Sequence, residues 1–307
     1  MDSNKIGKVS KVQIWTNRPV WPQGGPFPKA DAGKKPSELE WDLWLGPAPE
    51  IPFTPNLHPF NWRGWWDYGT GALGDVGCHL MDIPFRMLGL NYPTDAECSV
   101  GSVFSQMWTA DYNPEGCPAS SFITLHYGPT AKNPVPLEMT WMDGGIRPSH
   151  PDIIPPDHDL GGANSANGVM MIGEKGIITH NINDSSPLMP KLYLYDGTQE
   201  FGPDRIEGTE PEYGHQRKWV DACKAGFGSE EHKGLTSSFD YAGPMTETVL
   251  MGNLAIRSYM LKRQNAQGRD EFFGRRKLLW DGENMRITNL EEANQFVGRT
   301  YRKGFEV

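Results

Sequence analysis

Between residues 99 and 195 the β-forming stretches follow one another with no helical stretch between them. This grouping restricts the fold more than any other feature of the chain. Ser99–Phe104, Ser121–Tyr127, Leu137–Met142, Val169–Ile172, Ile177–His180 and Lys191–Tyr195 each set β-branched or aromatic residues between turn signals. Glu174-Lys175-Gly176 reads as a hairpin turn, and Asp196-Gly197 closes the last stretch. Further strands are predicted at Lys8–Trp15 and Lys277–Trp280. A parallel pair needs a long crossover, usually a helix, so strands met in succession are expected to pair antiparallel. Helices are predicted at about 72–88, at His215–Lys224 with Gly226 as its stop, and at Met245–Lys262 with Pro244 in its first turn. The expected class is α+β, a large, mostly antiparallel open sheet of at least six strands with helices on one face.

Composition narrows what such a domain does. The 307 residues carry 29 Lys and Arg against 38 Asp and Glu, a formal charge of −9, which disfavours binding to a phosphate backbone. No apolar stretch approaches the length of a membrane span. The four cysteines, Cys78, Cys98, Cys117 and Cys223, are widely spaced, which excludes a disulfide-dense scaffold and a cysteine-rich zinc module. Gly 35 and Pro 26 lie scattered through structured-looking sequence, so many long ordered loops are expected. The longest is a Pro/Gly-rich arm over residues 19–60, which has to lie on something else. The 11 tryptophans need a core, an interface or a flat ligand to pack on.

One stretch carries chemistry, from Trp62-Arg63 through Gly69-Thr70-Gly71-Ala72-Leu73 to Asp75, His79 and Asp82. On a helix beginning near Leu73, the residues Leu73, Val76, Leu80, Ile83 and Met87 share an arc of about 80°, the stripe expected to be buried. Asp75, His79, Asp82 and Arg86 share the adjacent face within about 60°. A carboxylate one turn from an imidazole favours the charged ring and poises it for proton transfer near neutral pH. The same spacing also describes an ordinary surface Asp–His pair. Spacing places no third ligand for a metal. Pro84 is expected to kink the helix or restart it with Asp82 as N-cap.

This pattern resembles the Gfo/Idh/MocA family of NAD(P)-dependent oxidoreductases, whose C-terminal half carries W-R, then a glycine run, then D-x-x-x-H-x-x-D. Ile6-Gly7-Lys8-Val9 looks like the opening of that half. Glu40-Trp41-Asp42-Leu43-Trp44-Leu45-Gly46-Pro47 and Tyr301-Arg302-Lys303-Gly304-Phe305 resemble a subgroup common in carbohydrate-degrading bacteria. Thr70 departs from the usual all-glycine run. The resemblance implies that Asp75 orients or polarises and that His79 is the acid/base on a sugar or polyol hydroxyl. It also implies NAD or NADP held by an N-terminal Rossmann domain. Neither the glycine-rich dinucleotide loop nor the Lys-Pro motif of that domain occurs in residues 1–307, so the chain is expected to be the substrate and oligomerisation domain alone, binding no cofactor and inactive by itself. A glycosidase that uses NAD transiently and a cofactor-free carbohydrate-binding or assembly module are the alternative readings. The compartment is not legible.

Substrate contacts are expected from Arg63, Trp62, Trp66 and Asp143, each with a plainer alternative. Arg63 either pins a hydroxyl or caps the 62–72 loop. Trp62, Trp65 and Trp66 either stack on sugar or bury the arm. Asp143 precedes Gly144-Gly145, which is either a loop into the cleft or a simple turn. His150 and His158, with Asp152, Asp157 and Asp159, form a substrate rim or a solvated loop. Cys78 is expected to be a small buried hydrophobe. A sheet covered on one face leaves the other for a second copy of the chain, the expected route to a homo-oligomer.

Overall fold

The computed structural model describes residues 4–158, 160, 167–182, 190–202 and 213–306. Asp159 and Gly161-Gly162 lie outside them. In chain order come β1 (Val9–Trp15), α1 (Trp41–Leu45), α2 (Gly71–Leu80), α3 (Asp82–Leu88), β2 (Asp95–Val100), β3 (Ser121–Tyr127), β4 (Leu137–Met142), β5 (Asn167–Gly173), β6 (Gly176–Ile182), β7 (Lys191–Leu194) and β8 (Gln199–Phe201). They are followed by α4 (Gly214–Ala225), α5 (Glu230–Lys233), α6 (Phe239–Tyr259), a small hairpin of β9 (Arg263–Gln264) and β10 (Asp270–Glu271), then β11 (Leu278–Asp281) and β12 (Arg286–Ile287).

Ten strands form one sheet in the order β12-β11-β2-β3-β4-β1-β5-β6-β7-β8. β1 runs parallel to β4, and the other pairs are antiparallel. The chain makes that one parallel pairing by inserting β1 between β4 and β5. The alternation of β3 explains the layering. Ile123, Leu125 and Tyr127 are buried, whereas Phe122, Thr124 and His126 are half-buried on the other face. Val12, Ile14, Ile123, Leu125, Met139, Trp141, Val169 and Met171 join Leu73, Val76, Leu80, Val249 and Ile256 from α2 and α6 in the main core. The α+β sheet with helices on one face is therefore the architecture expected.

Three boundaries differ from the sequence reading. The strand expected at 99–104 is β2, four residues earlier. Ala96 and Cys98 pack into the core, whereas Val103, Phe104, Met107 and Trp108 stand exposed in the loop that follows. α6 starts at Phe239, so Pro244 lies inside it. The helix expected at 72–88 breaks at Met81, because Pro84 has no N–H to give the Leu80 carbonyl. Asp82 is the first residue of the second segment rather than its cap. The break also turns the apolar stripe. Met81, Phe85 and Leu88 are buried where Ile83 and Met87 were expected, and these two are only half-buried.

The second sheet face is not a bare aromatic surface. Over β5–β7, Ile154 and Leu160 from the loop after β4 cover Trp15, Met142, Met170, Ile177 and Tyr193. His158, expected on a substrate rim or a solvated loop, accepts or donates at Nδ1 to the Tyr193 hydroxyl 3.0 Å away. Over β2–β4 the face is charged. His126 contacts Asp95 at 2.5 Å, and Lys11 pairs with Glu138 at 2.8 Å.

The arm builds a core of its own from Trp41, Leu45, Phe53, Leu57 and Trp65. Trp41 and Trp44 stack at 4.5 Å with 7° between their planes. Arg302 donates from Nε to the Gly46 carbonyl at 2.6 Å and also bonds Asp42. The two sequence segments that resemble one subgroup, 40–47 and 301–305, thus hold each other.

Candidate active site

The 62–75 segment folds back on itself, and its glycines permit this. A Cβ on Gly69 would lie 2.6 Å from the Arg63 Cα, so only glycine lets the two backbones meet there. Gly71 opens α2 at φ +64, in the left-handed region, with Cys117 directly against it. The turn brings Arg63 beside the second turn of α2, where its Nε donates to Asp75 Oδ1 at 2.7 Å. The guanidinium also donates to the Phe60 carbonyl and lies over the rings of Phe60 at 4.4 Å and Trp62 at 4.5 Å. Arg63 thus holds a carboxylate, and Trp62 is part of its aromatic bed.

His79, one turn beyond Asp75, is exposed. Among the described residues its ring has no hydrogen-bond partner, and it lines none of the cavities detailed below. Asp82 and Arg86 were expected on the same face but turn elsewhere. Tyr241 of α6 donates its hydroxyl to Asp82 at 2.5 Å, and Arg86 lies 3.9 Å over the Tyr241 ring. The break at Met81 separates the two pairs. Asp82 and Arg86 line a cavity of about 500 Å³ with Cys78, His215 and Tyr241. Cys78 is exposed there, not the buried residue expected; Cys117 is the buried one.

The other two residues expected at substrate are elsewhere. Asp143 is an interior group at 2% exposure. Its carboxylate accepts the Ser121 N–H at 2.5 Å, the Ser121 hydroxyl at 2.8 Å and the Trp141 indole N–H at 2.9 Å. Burial pushes its pKa up to about 6 against the pull of these donors. It ties β3 to β4 and is closed to solvent, so it does not face substrate as expected. Trp66 turns from Arg63 toward a separate cavity near the C-terminal residues. Sequence reasoning missed Phe60, and it missed Asp75 as the partner of Arg63. The signal was the glycine pair at 69 and 71, which marks a chain reversal.

No strand among the described residues passes through a glycine loop directly into a helix. Among them no group of three metal-binding side chains converges either, and no helix is long and apolar enough to cross a membrane.

A carboxylate held by Arg63 and an exposed imidazole thus stand one turn apart on one helix of an α+β domain. Residues 11–102 match the family described as oxidoreductase family, C-terminal alpha/beta domain. That match to the Gfo/Idh/MocA family covers these residues and not the rest of the chain. No curated protein matches the sequence. Solved structures similar to it include an oxidoreductase from Sinorhizobium meliloti, at 11% identity over 88% of this chain and 58% of that one, TM-score 0.40. Another is an inositol dehydrogenase homolog from Azotobacter vinelandii complexed with NADH and myo-inositol, at 13% identity over 83% and 56%, TM-score 0.44. A third is biliverdin reductase from Synechocystis in complex with biliverdin and NADP+, at 12% identity over 83% and 56%, TM-score 0.40. The chain thus spans little more than half the length of each.

Proposed function

We propose that this chain is the substrate and oligomerisation domain of an NAD(P)-dependent oxidoreductase that acts on a sugar or polyol hydroxyl. The observation that carries the reading is the 2.7 Å Arg63–Asp75 pair one turn before an exposed imidazole. Arg63 occupies Oδ1 of Asp75, which leaves the second carboxylate oxygen to accept a substrate hydroxyl. His79 then takes the hydroxyl proton as the carbinol becomes a carbonyl, and returns it in the reverse direction. Arg63 is a positioning residue in this scheme, and Trp62 fixes its angle from below. Hydride exchange is the chemistry that a bound nicotinamide would supply.

The test is turnover of the gene product containing this chain against sugars and polyols with NAD and NADP. His79→Asn is expected to lower kcat by about 10²–10⁴-fold and to remove the limb of the pH–rate profile that belongs to the acid/base. A variant within threefold of the parent sinks the assignment. The domain reading is checked separately by calorimetric titration of NAD and NADP into residues 1–307, where micromolar binding would contradict it. Self-association through the charged part of the sheet face, β2–β4, completes the proposal. Light scattering of a strict monomer, unchanged by Glu138→Lys, speaks against it.

A further inference from the structure

Two uncharged apolar surfaces stand at opposite ends of α6. The first is a finger between β2 and β3. Residues 101–110, Gly-Ser-Val-Phe-Ser-Gln-Met-Trp-Thr-Ala, contain no charged side chain. Val103 and Phe104 are exposed, and at the tip Met107 is 81% and Trp108 91% exposed. Hydrogen bonds hold the finger in shape. The Asp111 N–H donates to the Val103 carbonyl at 2.8 Å. The Asp111 carboxylate accepts the Ser105 N–H at 3.0 Å and the Ser105 hydroxyl at 2.6 Å. Gln106 pairs with Thr109 across the tip, and Trp108 takes a φ of +70, where a bulky L-residue is rarely found. Tyr112, at the base, donates its hydroxyl to the carbonyl of Met260, the residue after α6, at 3.0 Å.

The second surface is a hollow of about 390 Å³ between α4, α5 and the start of α6. Trp219, Ala222, Cys223 and Phe227 recur at helical spacing on one side of α4 and its continuation, and Leu235 and Phe239 complete the wall. No Lys, Arg, Asp or Glu among the described residues lines it. An amphipathic helix normally lays such a stripe on a core, yet Ala222 is the one buried residue of α4. Phe227 is 96% exposed and Phe239 92%.

At roughly 150–200 Å² each, Phe104, Met107, Trp108, Trp219, Phe227 and Phe239 leave about 1,000 Å² of apolar surface in water. Joined to each other, the two surfaces bury about what the smallest specific interfaces require. They cannot meet within one chain. α6 has 21 residues and is about 30 Å long, whereas the five residues from base to tip of the finger reach about 17 Å at most. Net charge selects the partner. At −9 the chain is repelled by an anionic lipid surface, and two copies come together best where neither carries charge.

We propose that the finger of one copy inserts into the hollow of another, seating the Trp108 indole and the Met107 thioether among Trp219, Phe227 and Phe239. The contact is head-to-tail. Each copy in a pair therefore keeps one unused surface, and assembly continues to a ring or an open chain. The proposal depends on neither the oxidoreductase reading nor the sheet-face contact.

The experiment is sedimentation velocity of the 307-residue chain from low to high micromolar concentration. Two double variants, confined to exposed side chains, each remove one surface: Met107→Ser with Trp108→Ser, and Phe227→Asp with Phe239→Asp. Circular dichroism confirms that both are folded. The parent is expected to gain mass with concentration, and each variant alone to weaken that step about tenfold or more. Mixed in equal amounts, the two variants are expected to regain one contact per pair and stop there, because one keeps its hollow and the other its finger. Glu138→Lys should leave the step unchanged. The proposal is overturned if the parent gains no mass, if either folded variant associates as the parent does, or if the mixture does not pair. It is also overturned if Glu138→Lys abolishes the step, which would assign it to the sheet face. Flotation of the parent but not the finger variant with phosphatidylcholine vesicles, without self-association, would assign the finger to a lipid surface instead.

Discussion

Gly71→Ala tests how the site is set, because Gly71 is the hinge from which α2 carries Asp75 and His79. Two costs are separable. The φ of +64 forces an L-residue into the left-handed region, at about 1–2 kcal/mol. The new Cβ would also sit 3.0 Å from both Cβ and Sγ of Cys117, which is itself buried. Overpacking of this kind adds about 1–3 kcal/mol. The expected total is about 2–5 kcal/mol. Gly145 supplies the control. Its φ is +87, and nothing lies within 4 Å of its virtual Cβ, so Gly145→Ala carries the backbone cost alone. Urea unfolding of the three proteins gives the difference, expected at about 1–3 kcal/mol. At roughly 2 °C per kcal/mol for a chain this long, Gly71→Ala should also melt about 4–10 °C lower. Equal losses in the two variants would refute the packing argument, and no loss at position 71 would refute the left-handed start of α2.

Three other outcomes follow from named contacts. A double-mutant cycle of Arg63→Gln and Asp75→Asn should return a coupling of about 1–2 kcal/mol, since both side chains are less than a third exposed; a coupling under about 0.3 kcal/mol would mean the pair is incidental. Asp143 binds a proton more tightly in the folded chain, at about 6, than at its ordinary 3.8, so its contribution favours the native state fully below about 4 and is lost as pH rises through about 6. That loss is about 3 kcal/mol at most, and denaturant titrations of parent and Asp143→Asn between pH 4 and 7 should differ in slope over that window. Arg302→Ala cuts the bonds to Gly46 and Asp42, and limited proteolysis should then cleave within residues 19–60 faster than in the parent, while the sheet core stays protected.

Local chemistry along the chain determined more of this fold than of its site. β3 and β4 sit where alternation and turn residues put them, because a strand with one face in the core has to write that face at every second position. The antiparallel character followed from strands with no crossover helix between them. The placing of Asp75 and His79 one turn apart on a single helix was legible because helical spacing fixes it. What tertiary structure alone decided is where each charge goes next. Arg63 reaches Asp75 only because the chain reverses at Gly69, a contact 12 residues apart that no periodicity encodes. Asp82 and Arg86 leave the site because one missing N–H at Pro84 turns the second helix. Asp143 looked like a loop residue and is a buried strut, since a carboxylate after a strand reads the same whether its donors are waters or Ser121 and Trp141. Arg257 lies 4.3 Å over the Phe296 ring only because residues 295–301 pack across α6, a contact 39 residues apart that no periodicity encodes.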